Sequence, residues 1–384
     1  MSLSNPVILP GQTIGIIGGG QLGKMMALSA KAQGYRVAVL DPAEDSPCAQ
    51  VSDMSIVAGY NDLEAIKELA SVSDVITYEF ENIDAEALKW LAEHAYVPQG
   101  TQLLEVTQNR ITEKAAIEKA GVKVAPYAVI HSVQDIYDNI KRLGFPAVLK
   151  TATGGYDGKG QLVIKTEQDL LLAEKLLEHG SCVLEKWIPF EKEISVIVVR
   201  SASGQTEVFP IGENIHRDNI LHETIVPARI SGDAARKGLE LAEKLASALQ
   251  LVGTLAVEMF LTKEDDIYIN ELAPRPHNSG HYTIEACETS QFEQHVRAVC
   301  NLPLGRTTLL KPAVMVNILG EHQEAVLQAI PSVTDWKIHL YGKIEPKFKR
   351  KMGHITLLRE NVEDALAEIE DSGIWSKIEE LIGG

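Results

Sequence analysis

The twelve residues Asn270-Glu-Leu-Ala-Pro-Arg-Pro-His-Asn-Ser-Gly-His281 gather an acid, a guanidinium, two imidazoles and two carboxamides. Pro274, Pro276 and Gly280 forbid a regular helix there. Just upstream, the β-rich runs Leu255–Leu261 and Ile267–Leu272 are joined by the polar turn Thr262-Lys-Glu-Asp-Asp266 and read as a hairpin. Pairing of the two runs across that turn is expected to set Glu258 opposite Glu271 on one face. Carboxylates facing each other across a strand pair lie about 5 Å apart at Cβ and repel. They persist where a cation sits between them or one stays protonated. Hard oxygen donors on a stiff hairpin suit magnesium, which takes one or two carboxylates and completes its shell with phosphate oxygens. The plain alternative is two solvated surface acids.

A second chemistry-bearing stretch is Thr151-Ala-Thr-Gly-Gly-Tyr-Asp-Gly-Lys-Gly160, between the strands Ala147–Lys150 and Gln161–Lys165. Four glycines between residues 154 and 160 weaken a hairpin ladder, yet their N–H groups can wrap an anion, with Lys150 and Lys159 adding charge. It is not a Walker A loop, because the spacing fails and a strand follows. Cys182–Ile188 is a strand whose end can present backbone donors and acceptors to a base edge; Trp187 or Ile188 packs the face of the base, or Trp187 is plain core.

The elements that position these residues begin with a strand at Thr13–Ile17, the turn Gly18-Gly-Gly-Gln-Leu-Gly23, a helix over Lys24–Gln33 and a strand Arg36–Leu40 ending at Asp41. That layout matches a dinucleotide-binding unit, whose glycine turn admits a phosphate, and matches a purely structural turn as well. Further βα units follow at Met54–Val57, Leu63–Ser71 and Val75–Tyr78, so a parallel sheet with helices on its faces is expected. Glu79 and Glu81 lie just past a strand end, where such sheets bind ligands, or serve a helix N-terminus. The helix Ala85–His94 and a short strand Tyr96–Pro98 close a first domain, 1–105. Asn109–Ala120 reads as a helix stopped by Gly121, and Asp233–Leu249 as a long amphipathic one. Val208–Ile211 and Ile225–Ala228 flank His216-Arg217-Asp218. The rest divides into 106–304, with a flap region about 115–200, and a smaller α/β tail, 305–384, with strands near Ala313–Ile318, Trp336–Leu340 and His354–Leu358. The tail carries Lys343-Ile-Glu-Pro-Lys-Phe-Lys-Arg-Lys351, a basic run that is either a solvated loop or an anion site.

A net charge of −17 argues against nucleic-acid or anionic-membrane partners. Hydrophobic content of 45% and charged content of 23% are those of a soluble globular protein. No signal peptide or bilayer-spanning run is read, and Cys48, Cys182, Cys287 and Cys300 show no paired spacing, so reduced cytoplasmic thiols are expected.

Taken in order, Lys150 with the glycine flap, Glu185–Ile188, and the paired Glu258 and Glu271 resemble the ATP-grasp superfamily. Gly154-Gly-Tyr-Asp-Gly-Lys-Gly-Gln161, the 270–281 string and Arg350-Lys-Met-Gly-His354 resemble its N5-carboxyaminoimidazole ribonucleotide synthetase branch. The resemblance implies an α/β, ATP-grasp fold with an N-terminal Rossmann-like domain and a small C-terminal α/β domain. It also implies a cytoplasmic homodimer that uses ATP, magnesium and bicarbonate to carboxylate aminoimidazole ribonucleotide. Carried over by position, ATP would be held by Arg110, Lys150, Gly155, Tyr156, Asp157, Gly158, Lys159, Gly160 and Gln161. Glu185, Lys186, Trp187, Ile188, Glu193, His216, Asn270 and Glu271 would complete that site. Glu258 and Glu271 would hold magnesium, and Arg275, His277 and Asn278 bicarbonate, with Lys343 also catalytic. Gln21, Glu79, Tyr156, Asp157, Lys343 and Arg350 would surround the ribonucleotide, and His277 or Asp157 would take the amine proton. Phe348-Lys349 stands where many relatives have Pro-Gly, which leaves the path of the basic loop open. The readings that compete are an NAD-dependent dehydrogenase, a non-catalytic ATP-binding subunit and a formate-using transformylase.

Overall fold

The computed structural model describes residues 6–81, 83–155 and 159–376. The first unit is the expected parallel sheet, ordered Met54–Val57, Arg36–Asp41, Thr13–Ile17 and Val75–Tyr78. Its central strands are buried on both faces, which is why they read as unbroken apolar runs. Residues 96–98 form no strand; Tyr96 contributes one carbonyl, to the Ile76 amide, before the chain turns away.

A smaller four-stranded antiparallel sheet, ordered Tyr127–Ile130, Cys182–Lys186, Ala147–Thr151 and Gln161–Ile164, carries the glycine flap at one end. The rest of the chain builds on one nine-stranded sheet. Its main path runs Ile267–Ala273, Gly253–Thr262, Phe190–Arg200, Gly212–Arg217, Ile220–Val226, Ala313–Leu319, Lys351–Leu358 and Lys337–Leu340. The tail expected as a separate small unit therefore adds its strands to the sheet that carries the carboxylate hairpin.

Two turns fix that sheet. Thr262 Oγ accepts the amides of Glu264 and Asp266, and Asp265 takes a left-handed φ of 59°. The second turn was not expected: Asp218 and Asn219, at φ 51° and 63°, join Gly212–Arg217 to Ile220–Val226 as a two-residue hairpin. His216 thus lies within a strand.

Strand alternation sorts the hairpin's side chains. Leu255, Val257, Met259 and Leu261 face a core shared with Ala242, Leu245 and Ala246 of the helix Gly232–Ala248. Each large apolar side chain so buried contributes about 1.5–3 kcal/mol. The intervening Glu258 and Phe260 line a cavity on the opposite face.

Candidate functional site

Glu258 and Glu271 are direct cross-strand partners. The register then slips, with Met259 opposite Ile269, so Asn270 is an extra, bulged residue. The bulge puts the consecutive Asn270 and Glu271 both on the cavity side while Leu272 returns to the core. Burial, and then the charge of Glu271, raises the Glu258 carboxyl to about 7. Arg110 Nη1 lies 3.1 Å from Glu271 Oε2, and the carboxyl of Glu113 behind it accepts the Leu272 amide at 2.7 Å. Burial, with Glu271 adding to it, lifts Glu113 to about 8. Among the described residues no cluster of three or more His, Cys, Asp or Glu side chains is arranged for a metal. Two hard carboxylates side by side, one of them raised by burial and by its neighbour, fit an ion that draws its other ligands from phosphate and water.

The cavity above them has a volume of about 560 Å³. On one side of it Glu185, 4% exposed, sits between Lys114 Nζ at 3.1 Å and Lys150 Nζ at 3.2 Å. Burial alone would raise the Glu185 carboxyl, but Lys150 and Lys114 hold it below its ordinary value. Lys150 also reaches Asn270 Oδ1 at 3.3 Å, tying the flap sheet to the bulge. His216 Nδ1 lies 3.2 Å from Glu193 Oε2; burial opposes its protonation, and Glu193 outweighs burial and raises it. Lys186, Trp187 and Ile188 line this side as expected. The amides of Lys186 and Trp187, however, donate to Pro126 and Pro146 carbonyls and are not available to a base. Sequence reading missed the stacked pair Phe190–Phe260, with ring centroids 4.6 Å apart, which lines the same wall. It also missed Lys114, which lies on a helix whose apolar periodicity is weak.

Beside the carboxylates, Arg275 Nε pairs with Glu81 Oε1 at 2.9 Å. His277 Nε2 lies 3.3 Å from Glu258 Oε1. Because the Ser279 amide donates to Nδ1, the neutral ring carries its proton on Nε2, facing Glu258. Burial first, and then Arg275 and Lys351, push this imidazole well below its usual protonation range. The His277 backbone is clasped by the buried Gln291 carboxamide, which accepts its N–H at 2.9 Å and donates to its carbonyl at 2.7 Å. Asn278 exchanges two amide hydrogen bonds, 3.0 and 2.7 Å, with Asn317 from the tail.

Gln21 and Glu79 also line the cavity. The glycine turn does not present an open anion cradle. Glu79 accepts the Gly20 amide and, at 2.7 Å, that of Gly23, while Asp41 accepts that of Gly19 at 2.7 Å. Of the two uses considered for Glu79, the helix N-terminus holds its carboxylate and the cavity borders it. Burial raises Glu79 despite those amides. Arg110, Lys159, Gly160, Gln161, Glu193 and Asn270 line the cavity too; Gly155 lies just behind, its carbonyl 3.5 Å from Arg110 Nη2. Tyr156, Asp157 and Gly158 lie outside the described residues.

Lys343 and Arg350 do not line the cavity: Lys343 donates to the Lys351 carbonyl at 2.8 Å, and Arg350 to that of Glu345 at 3.0 Å. Lys351, which begins a strand, is the member of the basic run on the cavity wall. Lys349 adopts φ 63°, a backbone shape that glycine takes more easily and that Lys349 keeps with its amide on Glu321. All four cysteines are free and buried, and no helix of the described residues is long and apolar enough to cross a membrane.

Residues 11–108 match a ribonucleotide synthetase preATP-grasp domain, 115–292 an ATP-grasp domain and 313–368 a phosphoribosylaminoimidazole carboxylase C-terminal domain. Over 367 residues, 96% of this chain and 97% of the relative, the chain is 58% identical to an N5-carboxyaminoimidazole ribonucleotide synthase of Bacillus subtilis. The chain belongs to the N5-carboxyaminoimidazole ribonucleotide synthase family. A solved structure of an N5-carboxyaminoimidazole ribonucleotide synthetase with ADP superposes on it with a TM-score of 0.95 at 62% identity, covering 98% of this chain and 99% of that one. A synthase from Aspergillus clavatus in complex with ADP and 5-aminoimidazole ribonucleotide superposes with a TM-score of 0.88 at 33% identity, covering 96% and 98%. The fold is thus the ATP-grasp arrangement behind a parallel-sheet N-terminal domain that the motifs implied.

Proposed function

We propose that the chain is an ATP-dependent ligase that carboxylates 5-aminoimidazole ribonucleotide with bicarbonate. The products are N5-carboxyaminoimidazole ribonucleotide, ADP and phosphate, and the step belongs to de novo purine biosynthesis. The observation that carries this is a single cavity lined by Glu258, Glu271, Lys150 and Arg275, in a chain of this family.

Bicarbonate is a weak electrophile, so one of its oxygens first attacks the γ-phosphorus; the bond to ADP breaks and carboxyphosphate forms. Positioning and charge neutralisation govern such a transfer. Lys150 and Lys159 line the cavity where the phosphates would lie, and Glu258 and Glu271 would hold magnesium, which when bound neutralises phosphate charge. Arg275 grips the planar carbonate by parallel N–H bonds, a geometry lysine cannot supply. Carboxyphosphate then gives carbon dioxide and phosphate, the exocyclic amine nitrogen bonds the carbon, and a proton leaves. His277, donating from Nε2 in its present tautomer, orients rather than accepts, which leaves Asp157 as the proton acceptor weighed from the sequence. Closure of the glycine flap keeps water from the mixed anhydride. Gln21 and Glu79 border the ribonucleotide, and of the basic run Lys351 is the residue on that cavity's wall.

The three matched segments support a division into 1–105, 106–304 and 305–384. The same reading extends to a cytoplasmic homodimer, which sedimentation velocity tests. Phosphate release, measured with bicarbonate or formate against each candidate ribonucleotide, tests the activity. Release that needs bicarbonate and aminoimidazole ribonucleotide together is expected; release driven by formate would move the chain to the transformylases. NADH binding would favour the dehydrogenase, an outcome opposed by the occupied amides of the glycine turn.

A further inference from the structure

We infer that Glu81 is a positioning residue for the carboxylation step, fixing the Arg275 guanidinium so that its remaining N–H bonds face the incoming anion. The inference rests on the assignment of Arg275 to bicarbonate made above. Arg275 stands between Pro274 and Pro276, so its backbone is stiff, but its long side chain still has rotamer freedom to lose. Two contacts remove that freedom. Glu81 Oε1 takes Nε at 2.9 Å, and the Pro276 carbonyl accepts Nη1 at 3.2 Å. Of the five N–H bonds of a guanidinium, these leave both on Nη2 and one on Nη1, a set that can meet a planar anion by two parallel bonds.

Glu81 is itself anchored. Its carbonyl accepts Gln108 Nε2 at 2.6 Å and the Ile83 amide at 3.0 Å. The Glu81 and Arg275 side chains are only 24% and 20% exposed, so water competes little for the pair. Glu81 also belongs to the first unit, two residues after Glu79 at the glycine turn, whereas Arg275 follows the carboxylate hairpin. The contact therefore carries the position of the N-terminal unit directly to the group that grips bicarbonate.

The experiment compares Glu81→Ala and Glu81→Gln with the unmodified chain, measuring Michaelis constants for bicarbonate and for ATP by phosphate release, with thermal midpoints alongside. Loss of a charge-assisted partner should raise the bicarbonate constant roughly tenfold in Glu81→Ala while the ATP constant and the midpoint hold. Glu81→Gln keeps an oxygen acceptor for Nε and should recover most of the loss, and it carries the test alone if the alanine variant fails to fold. An unchanged or lowered bicarbonate constant overturns the inference, since Glu81 would then be idle or a competitor for the same N–H bonds. An equal rise in the ATP constant also overturns it, by showing a general structural defect. Failure of the unmodified chain to release phosphate with bicarbonate would withdraw the functional reading and this inference with it, whereas normal release there beside unchanged variants overturns the inference alone.

Discussion

Replacing Glu185 by Gln should destabilise the chain far more than a change of one atom suggests. Glu185 is the carboxylate between Lys114 and Lys150, at 3.1 and 3.2 Å. Lys114 is 1% exposed and lies beneath the flap sheet, so the variant leaves two ammonium groups facing each other with little water. Removing one partner of a buried pair costs about 3–5 kcal/mol. At roughly 2 °C per kcal/mol for a chain of this size, the thermal midpoint should fall by about 6 °C or more. Burial lowers the affinity of Lys114 for its proton even in the native chain. A lysine held below its unfolded value of about 10.4 binds protons more weakly when folded, so stability rises as pH climbs toward that value. The deficit of Glu185→Gln should therefore shrink between about pH 7 and pH 9. Adding Lys114→Met removes one of the two cations and should restore part of the loss. Circular dichroism melts of the three proteins at both pH values decide the matter. A drop under about 2 °C, or a deficit that grows with pH, would refute the account of Glu185 as the counter-ion of both lysines.

Arg275→Ala should abolish bicarbonate-dependent ATP turnover while nucleotide binding stays measurable by calorimetry; retained turnover would remove Arg275 from the anion. Gly18 adopts φ 101°, and a Cβ there would strike the side chains of Glu79 and Phe80, so Gly18→Ala should cost upwards of about 1–3 kcal/mol in a urea melt. His295 is buried, accepts the Thr254 amide on Nδ1 and meets Thr77 Oγ at Nε2, and burial holds it near about 3. Its folded value thus lies below the unfolded value of about 6.5. Its contribution to stability is complete above that pH and is lost as pH falls toward 3, at up to about 1.4 kcal/mol per unit. Urea melts of His295→Gln should show a flatter acid limb than the unmodified chain.

The carboxylate hairpin was legible because its turn chemistry is local: Thr262 to Asp266 carries the residues such a turn needs, although strict symmetry from Leu261 opposite Ile267 would set Glu258 against Asn270, and it is the bulge that brings Glu271 opposite. The bulge at Asn270 was not legible, since nothing in an alternating run marks which residue is extra. The Asp218-Asn219 hairpin was missed for a related reason. It lacks the usual glycine, and Ile220–Val226 is buried along its whole length and shows no alternation. Lys114 and Glu113 sit on a helix that reads as polar, yet both are buried, because distant partners, Glu185 for Lys114 and the Leu272 amide for Glu113, rather than periodicity decide their side. The glycine turn was recognised as a shape, with a phosphate cradle and a structural turn both left open. Only the fold could show that Glu79, 59 residues from Gly20, would fill it. The partners of Arg275 and Asn278, Glu81 and Asn317, likewise come from distant parts of the chain.

The shared sheet also limits how the molecule can be taken apart. Ala313–Leu319 hydrogen-bonds to Ile220–Val226, a seven-residue strand buried from end to end. A cut placed just before Ala313 would lay bare a row of unpaired amides and carbonyls alongside apolar side chains, a surface that invites other chains to stick to it. Anyone wishing to isolate the nucleotide-binding portion would do better to keep Ala313–Leu358 attached, or to seal that edge with charge, than to trim at the seam between family segments.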